Sequence, residues 1–191
     1  MKKLFYCLII MLFSTGLFFS QENDNNNNLD SNNFFSSVYL TDSFGIGKIT
    51  VVNKASIGNG LLFGYNFNNL HFGTNLRVEA ALSLPSSNNN IKACSNFSAM
   101  AGGFGIFEIS DFFTIKPEID LGITHSYIIT DKKKNLYSDL MIQATVGLDF
   151  YSQALYEAGI AFNLSPFYRV LLEKSYIGQY LGLQAGIILS F

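Results

Sequence analysis

The sequence predicts an all-β fold, with eight antiparallel strands joined in up-and-down order and closed into a barrel. Three observations carry that prediction. Four long stretches alternate strictly between apolar and polar residues, the period of a strand with one wet and one dry face. Tight-turn signals at Asn68-Asn69, Ser110-Asp111 and Ser152-Gln153 fall 42 residues apart (110−68 and 152−110). Beyond the N-terminal segment, no apolar run is long enough for a membrane-spanning helix.

The composition narrows the class. Of 191 residues, 49% are hydrophobic and 15% aromatic, but only 14% are charged, against about 25% in an ordinary soluble domain. This hydrophobicity argues against a disordered chain. A net charge of −2 argues against a basic nucleic-acid binder.

The chain divides into three parts. Lys2 and Lys3 precede an apolar run from Leu4 to Phe19, broken by Ser14, Thr15 and Gly16. Residues 1–20 thus read as a secretory signal peptide, too short and interrupted for a spanning helix. Cys7 falls within it, leaving Cys94 without an intrachain disulfide partner. Residues 21–33 include NDNNNNLDSNN, where seven of eleven residues are Asn; this cannot bury apolar surface and reads as a flexible tether. Residues 34–191 form the predicted barrel.

Within the barrel the four clearest strands follow from their faces. In 70–84, Leu70, Phe72, Leu76, Val78, Leu82 and Leu84 oppose His71, Asn75, Arg77, Glu79 and Ser83. In 114–127, Ile115, Pro117, Ile119, Leu121 and Ile123 oppose Lys116, Glu118, Asp120, Gly122 and Thr124. In 140–151, Leu140, Ile142, Val146, Leu148 and Phe150 oppose Gln143, Thr145 and Asp149. In 181–191, Leu181, Leu183, Ala185, Ile187, Leu189 and Phe191 oppose Gly182, Gln184 and Ser190. Weaker alternation predicts strands over 36–47, 58–67, 92–109 and 155–165, with a bulge at Gly102-Gly103. The links at 48–57, 86–90, 131–135 and 165–179 read as longer loops on the side opposite the tight turns.

Alternation alone leaves two barrels open: a soluble lipocalin-like one with its apolar face inside, and a membrane one with its apolar face outside. The aromatic residues favour the membrane. Phe63, Tyr65, Phe67, Phe72, Phe107, Phe112, Phe113 and Phe150 gather at the tight-turn side, as a girdle at the lipid interface requires. The polar face carries opposite charges among small residues. Arg77, Glu79, Lys116, Glu118, Asp120, Asp149 and Glu157 are the predicted charge network of an enclosed lumen.

These features resemble the small eight-stranded bacterial outer-membrane barrels of the OmpA transmembrane domain and OmpX type. The resemblance rests on the N-terminal segment, the strand count, the turn-and-loop asymmetry and the ending YLGLQAGIILSF. It implies residence in the outer membrane, contact with its lipid, and folding by the barrel-assembly machinery through Leu183, Ile187, Leu189 and the terminal Phe191. The resemblance does not specify a function; the reading adopted is a monomer with no reaction and a structural or surface-interaction role of the adhesion type through its long loops. A narrow channel through the lumen is the alternative. Phe167, Tyr168 and Leu171, in the apolar link at 165–179, are the candidate loop contacts.

The residues offer little chemistry. His71 and His125 belong to no metal-spaced cluster, and no phosphate-binding glycine loop is present. In Thr124-His125-Ser126, adjacent residues of a strand point to opposite faces, so His125 cannot activate Ser126. The expectation is a protein with no catalytic, cofactor or metal residues.

Overall fold

The computed structural model describes residues 33–46, 53–67, 71–85, 91–130, 133–152, 157–172 and 177–191. The predicted signal segment and nearly all of the tether lie outside these residues. The strands are β1 (Phe34–Ile46), β2 (Asn53–Asn66), β3 (Phe72–Pro85), β4 (Ile91–Gly105), β5 (Phe107–Ser110), β6 (Phe113–Thr130), β7 (Lys134–Phe150), β8 (Ile160–Leu172) and β9 (Ile177–Ser190). All pairings are antiparallel between strands adjacent in the chain, save that β4 pairs with β6 rather than with β5, and β1 pairs with β9, so the sheet closes. β4 and β5 both pair with β6 and form one barrel strand interrupted at Ile106. The barrel therefore has eight strands.

The ladder fixes the geometry. One circuit runs Phe35, Gly64, Asn75, Gly102, Asp120, Gln143, Arg169, Tyr180 and returns to β1 at Gly45. The stagger is thus ten residues (45−35). With about 3.3 Å per residue and 4.8 Å between strands, eight strands with this stagger tilt by about 40°. On β7 the outward residues from Leu140 to Phe150 are all apolar. Ten residue steps at that tilt rise about 25 Å, the height of the apolar band on a membrane barrel.

The faces settle which side is wet. Leu82 is 69% exposed and Leu121 61%, whereas Asp120, Gln143 and Asp149 are 0% exposed. The apolar face points outward around the barrel and the polar face lines the lumen, the reverse of the soluble lipocalin-like alternative. At the tight-turn end Phe34 and Tyr65 meet at a tilt with centroids 4.7 Å apart, Tyr65 and Phe67 edge to face at 5.5 Å, and Phe67 and Phe72 at a tilt at 5.2 Å. Phe113 and Phe150 meet at 5.1 Å across β6 and β7. These rings form part of the interfacial girdle.

Several boundaries differ from the sequence reading. The ladder of β4 runs through Gly102 and Gly103 without a register shift. The irregularity comes later, between Glu108 and Ser110. The seventh barrel strand, β8, runs to Leu172 and β9 begins at Ile177, so most of the predicted loop at 165–179 is strand. β2 and β7 likewise begin inside predicted links. The connections opposite the tight turns are therefore short, covering 47–52, 86–90, 131–133 and 173–176. The physical reason is that polar strand residues beyond the apolar band still find ladder partners. Thr130, for instance, closes the β6–β7 hairpin by donating its N–H to the Lys133 carbonyl at 2.9 Å. The longest connection, 151–159, is at the other end. It finishes at Gly159 with φ of 66°, where its carbonyl accepts from the Ser190 N–H at 2.8 Å. This left-handed conformation suits glycine.

Candidate functional site: the lumen

The lumen has two unlike halves. The half toward the tight turns is filled. Phe35, Tyr39, Phe104 and Phe167 point inward, and each faces a glycine directly across the ladder: Gly64, Gly60, Gly73 and Gly182. A Cβ at any of those glycines would collide with the facing ring. Four large rings thus fit inside an eight-stranded barrel because the strand beside each supplies no side chain.

Charges bridge the space between these rings. Arg77 on β3 pairs with Glu118 at 2.5 Å and Asp120 at 3.3 Å on β6. Its other terminal nitrogen donates across the lumen to the Gln184 carbonyl on β9. Arg169 on β8 donates to Glu79 on β3 at 2.5 Å and to Gln143 on β7 at 2.8 Å. Glu79 also accepts from the Tyr39 hydroxyl at 3.0 Å and the Gln184 amide at 2.8 Å. Nearer the turns, Lys116 pairs with Asp149 at 2.8 Å, and Asn163 donates to the same carboxylate. The cations also sit on ring faces: Arg77 over Tyr39, Lys116 over Phe35, and Arg169 over Phe167 at 4.8 Å. Buried charges persist when paired and hydrogen-bonded; every carboxylate named here has a cation partner, and Asp120 is held by its ion pair with Arg77 rather than by a hydrogen bond. These contacts tie β3, β6, β7, β8 and β9 together through the lumen.

Of the predicted network, Arg77, Glu79, Lys116, Glu118, Asp120 and Asp149 come together in this half. Glu157 does not: it is exposed in the connection before β8. Arg169 was missed. Its segment, SPFYRVLL, reads as an apolar loop because Pro166 and Phe167 obscure the alternation. The signal was nevertheless present, since Asn163 and Ser165 face inward and the same phase places Arg169 inward. Of the candidate loop contacts, Phe167 is 3% exposed under Arg169, while Tyr168 faces outward. Leu171 lies in β8 and lines the upper lumen.

The half toward the opposite end is open. A cavity of about 790 Å³ occupies it, with Glu79, Arg169 and Met141 at its base. Its wall carries Ser43, Ser56, Ser83, Asn96, Ser98, Thr124, Ser126, Tyr137 and Asp139. Some of these pair with one another: Ser43 with Ser56 at 2.6 Å, Asn96 with Ser83 at 2.8 Å, and Ser98 with Thr124 at 2.9 Å. The space exists because Gly58, Ala81 and the serines are small.

The histidines stand apart from the lumen. His71 is exposed at the turn before β3. His125 faces outward, and its Nδ1 lies 2.8 Å from the Ser138 hydroxyl on β7. Cross-strand register makes this contact, which spacing along one strand does not reveal. Phe97 occupies the position opposite His125 on β4.

The architecture now bears comparison with known proteins. Neisserial surface protein A matches with a TM-score of 0.63 at 9% identity, over 83% of this chain and 97% of its own. Ail, the attachment invasion locus protein of Yersinia pestis, matches with a TM-score of 0.56 at 14% identity, over 82% and 99%. The outer membrane protein OprG of Pseudomonas aeruginosa matches with a TM-score of 0.57 at 10% identity, over 83% and 96%. The fold is that of the small outer-membrane barrels. No protein-family model matches the sequence, and no curated protein matches it either. At these identities the likeness concerns the fold. The apolar band and the closed ladder make the barrel a membrane-spanning one, and its structural neighbours include bacterial outer-membrane proteins.

Proposed function

We propose that this protein is a non-enzymatic outer-membrane barrel with a structural and surface-interaction role of the adhesion type. The observation that carries this reading is the asymmetric lumen. The turn-end half is bridged by charge pairs and aromatic rings, and the other half is an open cup whose wall mixes hydroxyl and amide groups with apolar side chains. Such a barrel is a rigid stake in the membrane that presents one end. Residues 1–20 direct export, residues 21–33 tether the N-terminus, and the chain acts as a monomer. Leu183, Ile187, Leu189 and Phe191, which face outward on β9 or end the chain, serve the assembly machinery. Ail, a structural neighbour, is described as an attachment invasion protein and has been solved with the heparin analogue sucrose octasulfate. That supports the surface role without assigning this chain a ligand.

The test compares bacteria carrying the full chain with bacteria whose connections 47–52, 86–90 and 173–176 are replaced by Gly-Ser turns. Equal barrel in the outer membrane, with attachment to host cells lost, supports the reading. Unchanged attachment contradicts it. A narrow channel predicts stepwise single-channel conductance from the purified barrel, whereas the bridged lumen predicts flat traces.

A further inference from the structure

We infer that the open half of the lumen is a binding cup for an uncharged saccharide, a terminal mono- to trisaccharide of a glycan met from outside the cell. This rests on the surface-interaction reading and gives it a ligand class. Side chains can fill an eight-stranded barrel, and the turn-end half of this one is filled. The other half keeps about 790 Å³ free, within the range of small-molecule sites, roughly 300–1,000 Å³.

The lining then selects the chemistry. Ser56, Ser98, Thr124, Ser126 and Asn96 offer neutral donors and acceptors around the wall. Ser56, Asn96, Ser98 and Thr124 already make wall contacts with one another or with Ser43 and Ser83, and each keeps further donor or acceptor positions that a sugar hydroxyl can meet and an apolar lipid cannot. Ile91, Ile128, Leu136, Met141, Leu171 and the ring of Tyr137 supply a larger apolar share of the wall, which suits the C–H faces of a sugar ring. Two charged groups complete the site. Asp139 stands on the wall and Arg169 at the base, where Glu79 already neutralises it. A sugar can share its hydroxyl protons with the Asp139 carboxylate. A polyanion would meet Asp139 and Glu79 as like charges. Ser126 and Tyr137 face each other across β6 and β7, between the Ile123–Leu140 pair and the connection at 131–133, so the cup opens toward that end of the barrel.

The experiment uses the purified full-length barrel in detergent micelles, titrated with lactose, maltotriose and diacetylchitobiose, with sucrose octasulfate as the charged comparison. Calorimetry and NMR shifts read the binding. The expected result is saturable binding of at least one neutral saccharide. It should weaken by about tenfold or more in Asp139→Asn and be abolished in Ala81→Phe, which fills the cup. Ile119→Val, on the outer face, should bind as the unaltered chain does. A heat-dependent gel shift in every variant keeps misfolding from being read as lost binding. Absence of neutral saccharide binding overturns the inference. So does binding that Ala81→Phe leaves intact, or binding confined to the sulfated sugar. Attachment without saccharide binding would remove the cup and leave the surface role standing; saccharide binding without attachment would do the reverse.

Discussion

The two halves of the lumen are built by the same alternation on the same strands, yet one is packed and the other hollow. In the turn-end half each large ring faces a glycine, and each buried cation meets a carboxylate. In the other half, small residues face small residues: Gly58 pairs with Ala81, and Ser56 with Ser83. The period-two pattern is identical in both. Alternation therefore decides which face is wet, and the sizes of facing side chains decide whether the wet face closes.

The comparison can be broken most severely at Arg77. Replacing Arg77 by Met leaves Glu118 and Asp120 without their guanidinium partner. The expected cost is about 3–5 kcal/mol in urea unfolding from lipid vesicles. Adding Glu118→Gln and Asp120→Asn should recover much of it, because the penalty belongs to uncompensated charge. Next is the outer face. Leu121→Arg should cost about 2–4 kcal/mol if Leu121 lies near the bilayer midplane; a neutral result would contradict the placement of the apolar band. The sharpest contrast is between matched enlargements in the two halves. Gly64→Val collides with the Phe35 ring and should cost about 1–3 kcal/mol. Ala81→Val projects into the cavity and should stay within about 0.5 kcal/mol, read in the same unfolding assay. Equal costs would mean that the two halves are packed alike.

Much of the barrel was legible because membrane and lumen impose opposite demands on neighbouring residues. The faces of 70–84, 114–127, 140–151 and 181–191 could be assigned directly, and they placed six of the seven lumen charges named from sequence. Element ends were less legible. Lys134 and Asn135 look like loop residues, but hydrogen bonding continues past the bilayer, so they are strand. Arg169 hid behind Pro166 and Phe167. Phe167 breaks the polar phase of its strand, since its ring lies inward under the guanidinium. The His125–Ser138 contact depends on register between two strands. The cavity depends on eight strands at once, and its sequence trace was only a run of small inward residues from Ser56 to Gly58 and from Ala81 to Ser83.

Thiol accessibility in intact bacteria distinguishes a barrel plugged toward the turns and open toward the other end from one that is uniformly open or closed. In a Cys94→Ser background, Ser126→Cys places a thiol on the wall of the cup, and Thr145→Cys places one within the plug, where Thr145 is 2% exposed. A membrane-impermeant maleimide added outside the cells should label Ser126→Cys and leave Thr145→Cys unlabelled until the protein is denatured. Labelling of both in folded protein would show a lumen open throughout. Labelling of neither would show that the cup is closed to the outside.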